Sequence, residues 1–227
     1  MHPNTNHNSH SQMSESFLTA AFLSLSGGLQ DAYTYICRGE VFANAQTGNI
    51  VLLSQNICAK NWTLTAHYLI PILAFASGIA AAVRIRQSYQ NSRRIHWRQI
   101  VLLMEIFLLL LVGFLPSRLN FLANAMVSFS CAMQVQTFRT VNGYPFASTM
   151  CIGNIRGGME SLCTYRQTHN VRTLSKAFCY GGIIFLFAVG AGVGGCLLPV
   201  LGQYTIWVCC LMLGVSFLLM FVGVGDY

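Results

Sequence analysis

Long apolar runs separated by short polar breaks organise this chain. They cover Phe17–Cys37, Thr65–Val83, Gln99–Leu115, Leu119–Phe138, Ala177–Leu198 and Tyr204–Val224. As a helix rising about 1.5 Å per residue, the first reaches across a bilayer core of about 30 Å, and the pattern predicts six membrane-spanning helices. Two further segments, about Val41–Ala59 and Phe146–Cys163, are long enough to span but too polar and too interrupted by glycine to read as ordinary spans. The first contains "VFANAQTGNIVLL", which sets Asn44, Gln46, Thr47, Gly48 and Asn49 between apolar flanks.

Internal repetition indicates what those two segments are. In "LQDAYTYICRGEVFA" and "MQVQTFRTVNGYPFA", Gln30 matches Gln134, Gly39 matches Gly143, Phe42 matches Phe146 and Ala43 matches Ala147. One inserted residue later, Gly48–Ile50 matches Gly153–Ile155, and "FASGIAAAV" parallels "FAVGAGVGG". The repeated unit is span, GN segment, span, span.

Charge then decides between topologies. If both GN segments cross fully, eight spans leave seven basic residues inside (Arg38, Arg84, Arg86, Arg93, Arg94, Arg98, Arg139) and five outside (Lys60, Arg118, Arg166, Arg172, Lys176), with Arg156 inside a span. If both segments dip in and return, ten basic residues fall inside and three outside, namely Arg38, Lys60 and Arg118. Cytoplasmic loops favour Lys and Arg, so the expectation is an all-α polytopic membrane protein of six transmembrane helices plus two re-entrant or broken GN segments. With three spans per unit, the halves (about 17–115 and 119–225) form an inverted 3+3 repeat, and both termini are cytoplasmic. Eight spans is the alternative.

Composition agrees with that reading. Hydrophobic residues make up 54% of the 227 positions and charged ones 8%, against about 25% charged in an average soluble domain. The net charge of +7 sits in loops without any base- or phosphate-binding motif, so nucleic acid is not an expected partner. Nine cysteines without a CxxC pair read as small apolar residues of helices. The polar opening 1–16, with His2, His7 and His10, reads as a disordered cytoplasmic tail.

Irregular backbone at membrane depth is tolerated where it is buried in protein or lines a wet cavity. Thr47, Gly48 and Asn49 suit a turn or broken helix, and two opposed half-helices aim their positive N-terminal ends at one midplane site. The expected solute or ion pathway therefore contains Asp31, Gln30, Thr47, Gly48, Asn49, Gly153 and Asn154. Asp31, an acid within a span, is the candidate for taking up a proton or binding a cation. Glu105 reads as a snorkelling or paired side chain, Arg139 as a positive-inside anchor, and Arg156 with Glu160 as a helical ion pair or gate. Gly181, Gly182, Gly190, Gly192, Gly194 and Gly195 read as a close-packing face. Tyr33, Tyr35, Trp62, Tyr68, Trp97 and Tyr204 read as an interfacial belt.

"GGLQDAYTYI" followed by "VFANAQTGNIVLL" resembles the signature of the bacterial YoaK-type membrane proteins, a family of unknown function, over nearly the whole chain after the tail. The resemblance implies a six-span inner-membrane protein, sometimes labelled a permease, without an established substrate. Where that family tends to repeat a Thr-Gly motif in its second half, this chain has "STMCIGN", with Ile152 before Gly153.

The sequence carries no GxSxG, HExxH, Walker loop, paired acidic metal motif or dinucleotide fingerprint, so no enzyme, metal or cofactor is expected. The leading expectation is a permease or channel for a small polar solute with its pathway between the halves. The alternative is a non-transporting membrane protein that binds a partner protein or a lipid. Partners are then the bilayer and an unidentified solute, with homo-oligomerisation left open.

Overall fold

The computed structural model describes residues 15–90 and 96–222. The histidines of the tail, Arg93 and Arg94 lie outside the described residues. Each apolar run becomes a helix: α1 (Phe17–Cys37), α3 (Trp62–Tyr89), α4 (Trp97–Phe114), α5 (Asn120–Thr137), α7 (Val171–Leu201) and α8 (Ile206–Val222). The two GN segments supply the shorter α2 (Gln46–Cys58) and α6 (Cys151–Thr168).

Caps explain where several helices begin. Ser16 accepts from the Thr19 N–H at the start of α1, Asn61 from Leu64 at α3, and Asn170 from Arg172 at α7. His96 and Gln99 form a reciprocal capping box at α4. Helices α3 and α7 outrun their apolar cores because their polar, basic ends continue the same hydrogen-bond ladder beyond the greasy stretch. Glu15 pairs with Arg98 at 2.8 Å, so Glu15, within the segment expected to be a disordered tail, is tied to the start of α4.

By length and hydropathy, three stretches of the described chain qualify as membrane-crossing: Trp62–Tyr89, Trp97–Phe114 and Val171–Met220, the last joining α7 and α8 through a 3-10 turn. Helix α1 is diluted by Ser24, Ser26, Gln30, Asp31 and Thr34, all buried. That polar face meets protein, since α1 is flanked by α5, α7 and α8.

Contacts fix the helix directions. Along α1 and α7, Gly182 meets Phe17, Gly190 meets Leu25, and Gly194 meets Leu29 and Ala32, so the two run parallel. Between α1 and α5, Gln134 donates to the Leu23 carbonyl while Asn124 donates to that of Arg38, so they run antiparallel. The same pairings recur in the two parts of the chain. Helix α1 packs along α7 as α3 does along α5, α2 lies on α3 as α6 lies on α7, and α1 meets α8 as α5 meets α4.

Atomic details repeat as well. A Cβ on Gly78 would collide with the Phe129 carbonyl, and one on Gly190 would collide with that of Leu25. Half of the expected glycine face does this work: a Cβ on Gly181, Gly192 or Gly195 would meet no other helix within 4 Å among the described residues.

After α1 the chain reverses at Gly39 and Glu40, both at positive φ (91° and 59°), where glycine's freedom is needed. It then runs back beside its own helix. Phe42 stacks on Tyr35 with ring centroids 4.6 Å apart, and the Asn44 N–H donates to Asp31 at 2.8 Å. Asn44 thus lies roughly 10–16 Å back along α1, at about 1.5 Å per residue. Helix α2 climbs out again, and His67 near the start of α3 stands 2.8 Å from the Gly39 carbonyl. The segment therefore leaves at the end where it entered.

The second segment reverses through a hairpin, β1 (Thr140–Val141) with β2 (Tyr144–Pro145). Its two-residue turn, Asn142 and Gly143, has φ of 49° and 77°, the Asn-Gly pattern that hairpins favour. The chain then passes beside α5, where Ser148 accepts from Gln134 at 2.7 Å.

Candidate functional site

Both irregular loops converge on the middle of α1. The Asn44 side chain donates to the Gly27 carbonyl at 3.3 Å, and the Thr149 methyl packs on Gly27 so closely that a Cβ there would collide. Asp31, one turn on, accepts from both the backbone and the side-chain N–H of Asn44. Its carboxylate therefore sits just before the N-terminus of α2, where Ala45 provides no side-chain cap and the helix dipole favours negative charge.

Identical clasps hold the loops. Asn49 Nδ2 donates to the Phe42 carbonyl at 2.7 Å and Oδ1 accepts the Phe42 N–H at 3.2 Å. Asn154 does the same to Ala147, at 2.8 and 3.5 Å. Each asparagine reaches back seven residues, which corrects the expected register. Phe42 corresponds to Ala147 rather than to Phe146, the extra residue falls earlier, in the turn, and Asn44 becomes the counterpart of Thr149.

Behind Gly27 lies a second polar group. Gln30 donates to Ser26 at 3.0 Å and to Glu105 of α4 at 3.3 Å, and its Oε1 accepts from the Cys131 thiol of α5 at 2.8 Å. Glu105 is fully buried, which corrects the snorkelling side of the expectation: it faces the interior of the helix bundle, bonded to Gln30, not the basic loop. Among the described residues the ion pairs are Arg98–Glu15 and Arg156–Glu160, so neither Asp31 nor Glu105 has a cationic partner.

The expected pathway residues are thus divided. Asp31 and Gln30 lie at the convergence, while Asn49 and Asn154 stand one step away with their amides committed to backbone. Thr47 and Gly153 are exposed on the outer side, and Gly48 packs against Phe42. The two segments meet through the loops preceding α2 and α6, not through their GN residues. Arg156 and Glu160 form their i,i+4 pair at 2.8 Å, both side chains largely exposed.

Arg38, expected as an exposed loop charge, is completely buried. Its guanidinium donates to the Tyr33 hydroxyl, to the Val112 and Leu115 carbonyls and to Asn120 Oδ1, at 2.8–3.1 Å. It caps the negative C-terminal end of α4. Tyr33 and Tyr68 are likewise buried rather than interfacial. Asn44 was visible in the polar stretch yet indistinguishable from its neighbours, and Thr149 surfaces only once the register is right.

A cavity of about 300 Å³ opens between α6 and α7, lined by Asn154, Ile155, Met159, Leu174, Phe178 and other mostly apolar residues. It is separate from the Gly27 convergence. No curated protein and no solved structure matches the chain. The family model described as "Protein of unknown function (DUF1275)" matches residues 19–219, a span that holds both loops, both clasps and the two buried acids; the chain belongs to that family, which includes the YoaK-type proteins.

Proposed function

We propose that this membrane-compatible helical protein is a six-span permease or channel of the bacterial inner membrane for a small polar solute, built as an inverted 3+3 repeat. The carrying observation is the meeting of two loops, one from each half, on Gly27 beside an acid with no ionic partner. Charge in a span faces a pathway or a partner as a rule, and opposed half-helices around one central point suit a binding site.

The repeated contacts and the antiparallel course of α1 and α5 support the inversion. The return of α2 to its entry end supports six spans over eight. Among the described basic residues, Arg38, Lys60 and Arg118 lie at one end. Arg84, Arg86, Arg98, Arg139, Arg156, Arg166, Arg172 and Lys176 lie toward the other, which the positive-inside rule makes cytoplasmic.

A closed interior favours the second reading, a membrane protein that binds a partner or lipid without transport. Gly27, Gln30, Asp31 and Asn44 are all buried. A transporter in an occluded state shares that feature. Purified protein in proteoliposomes, assayed for uptake of a panel of small polar solutes, separates the two. Transport requires flux that Asp31→Asn abolishes and the outward-facing Thr47→Ala preserves. Absence of protein-dependent flux across the panel transfers the assignment to the partner-binding reading.

A further inference from the structure

We propose that Glu105, with Ser130 and Gln30, forms an exchangeable monocation site, occupied by a proton or Na⁺, distinct from the Asp31–Asn44 group. This stands on binding geometry and does not require that a solute crosses.

The site joins three helices at full burial. Glu105 of α4 faces Gln30 of α1, and the amide of Gln30 satisfies one carboxylate oxygen at 3.3 Å. Among the described residues the second oxygen, Oε2, has no hydrogen-bond partner, and neither does the Ser130 hydroxyl of α5. Ser130 lies close enough to act on the Glu105 carboxyl, yet no bond of good geometry forms between them. Both residues are wholly shielded. A carboxylate oxygen and a hydroxyl oxygen, both fully buried and neither hydrogen-bonded among the described residues, thus belong to one polar group.

Among the described residues no positive charge supplies the balance. Helix α1 contributes Gln30 and Ser26, α5 contributes Ser130 and the Cys131 thiol, and α8 contributes the thiols of Cys209 and Cys210. Asp31, on the next position of α1, is a second acid near Cys131 and adds negative charge. Buried charges in proteins are paired or coordinated, and in spans this holds with greater force. A single positive charge between Glu105 Oε2 and Ser130 Oγ completes the group. A proton on Oε2 would be donated in a hydrogen bond to Ser130. Sodium would take the carboxylate oxygen and a hydroxyl lone pair as ligands.

The sequence repeat does not supply this group. Gln134, the counterpart of Gln30, spends its amide on Leu23 and Ser148. The site therefore belongs to one side of the pseudo-symmetric core.

The test is thermal unfolding of the purified full chain in detergent. Sodium is compared with choline at constant ionic strength, each across the mildly acidic to mildly alkaline range. Wild type is expected to respond to sodium, to pH, or to both, and Glu105→Gln, a neutral isostere, is expected to lose that response. Thr47→Ala, at an exposed position outside the group, is expected to keep it. A sodium response lost in Ser130→Ala identifies Na⁺; a pH response without a sodium response identifies the proton. If Glu105→Gln does not fold, Glu105→Asp keeps the charge at a shorter reach and is expected to shift the response. The proposal is overturned if wild type responds to neither variable. It also fails if Glu105→Gln, or Glu105→Asp used in its place, responds as wild type does, or if Thr47→Ala removes the effect.

Discussion

Asn49 invites mutation as a ligand-binding residue, but its geometry predicts another phenotype. Its side chain makes three hydrogen bonds, two to the backbone of Phe42 and one to Gln46 Oε1 at 2.9 Å. Asn49→Ala leaves the Phe42 N–H and carbonyl without partners beside α1. An orphaned buried polar group costs about 1–3 kcal/mol. Because Phe42 is half-buried, the lower part of that range applies to each, and the sum is about 2–4 kcal/mol. Asn154→Ala removes one good bond and one at 3.5 Å, so its cost is about 1–2 kcal/mol. Thr47→Ala, at an exposed position, should fall within about 0.5 kcal/mol of wild type. Equilibrium unfolding in mixed micelles should rank the variants in that order. Loss of flux in Asn49→Ala is then a folding effect to be corrected for stability. If Asn49→Ala matched Thr47→Ala in stability yet lost transport, the clasp reasoning would be refuted and a direct ligand role restored.

Other perturbations test the packing and the ends. Gly78→Ala and Gly190→Ala each press a methyl into a carbonyl and should cost about 1–3 kcal/mol or more, while Gly192→Ala in open space should be near neutral; equal effects would deny the close helix seams. Arg38→Met strands the Val112 and Leu115 carbonyls at the end of α4, an expected loss of about 2–4 kcal/mol. Thermal melts should show Arg38→Lys intermediate, and a wild-type-like Arg38→Met would contradict the capping role. Single cysteines at Lys60 and Arg166, in a background without native cysteines, should label from opposite faces of oriented vesicles; labelling from one face would refute the arrangement of ends. His96 accepts the Arg98 N–H through Nδ1, and burial, then the Arg98 charge, push its pKa below the ordinary value. Its contribution is present above the unfolded value of about 6.5 and is lost as pH falls through and below it, because the unfolded chain binds the proton more readily. His96→Gln should flatten that part of a stability-versus-pH curve.

Much of the fold was legible because lipid compatibility writes itself into hydropathy. The run Phe17–Cys37 coincides with α1, and the other runs mark their helices with errors mainly where polar ends extend α3 and α7. The positive-φ pair Gly39 and Gly143 shows in the sequence as a match, while its backbone role belongs to the two turns. What stayed hidden depended on direction rather than type. Asn44 and Asn49 are the same residue five positions apart, yet one binds Asp31 and the other binds backbone. Arg38 counts as a loop charge in any tally, but whether it faces solvent or the end of α4 is a tertiary fact. Glu105 carries no neighbour in sequence that announces Gln30, because their contact spans 75 positions.

The pairing of α1 with α7 bears on how the chain is made. Helix α1 emerges early from the ribosome carrying Gln30 and Asp31, while the glycine-faced helix that packs against it is synthesised more than half a chain later. Its parallel counterpart, α3 with α5, can close much sooner. During synthesis, α1 must therefore be held by α4, through Gln30–Glu105 and Arg38, by α5, through Gln134 and Asn124, or by the insertion machinery, until Gly190 arrives opposite Leu25. The repeated stretch of sequence is thus not the unit that assembles: α1 and α5 each find their main partner helix, α7 and α3, in the other part of the chain, and a chain cut between α4 and α5 should become stable only when both pieces share one membrane.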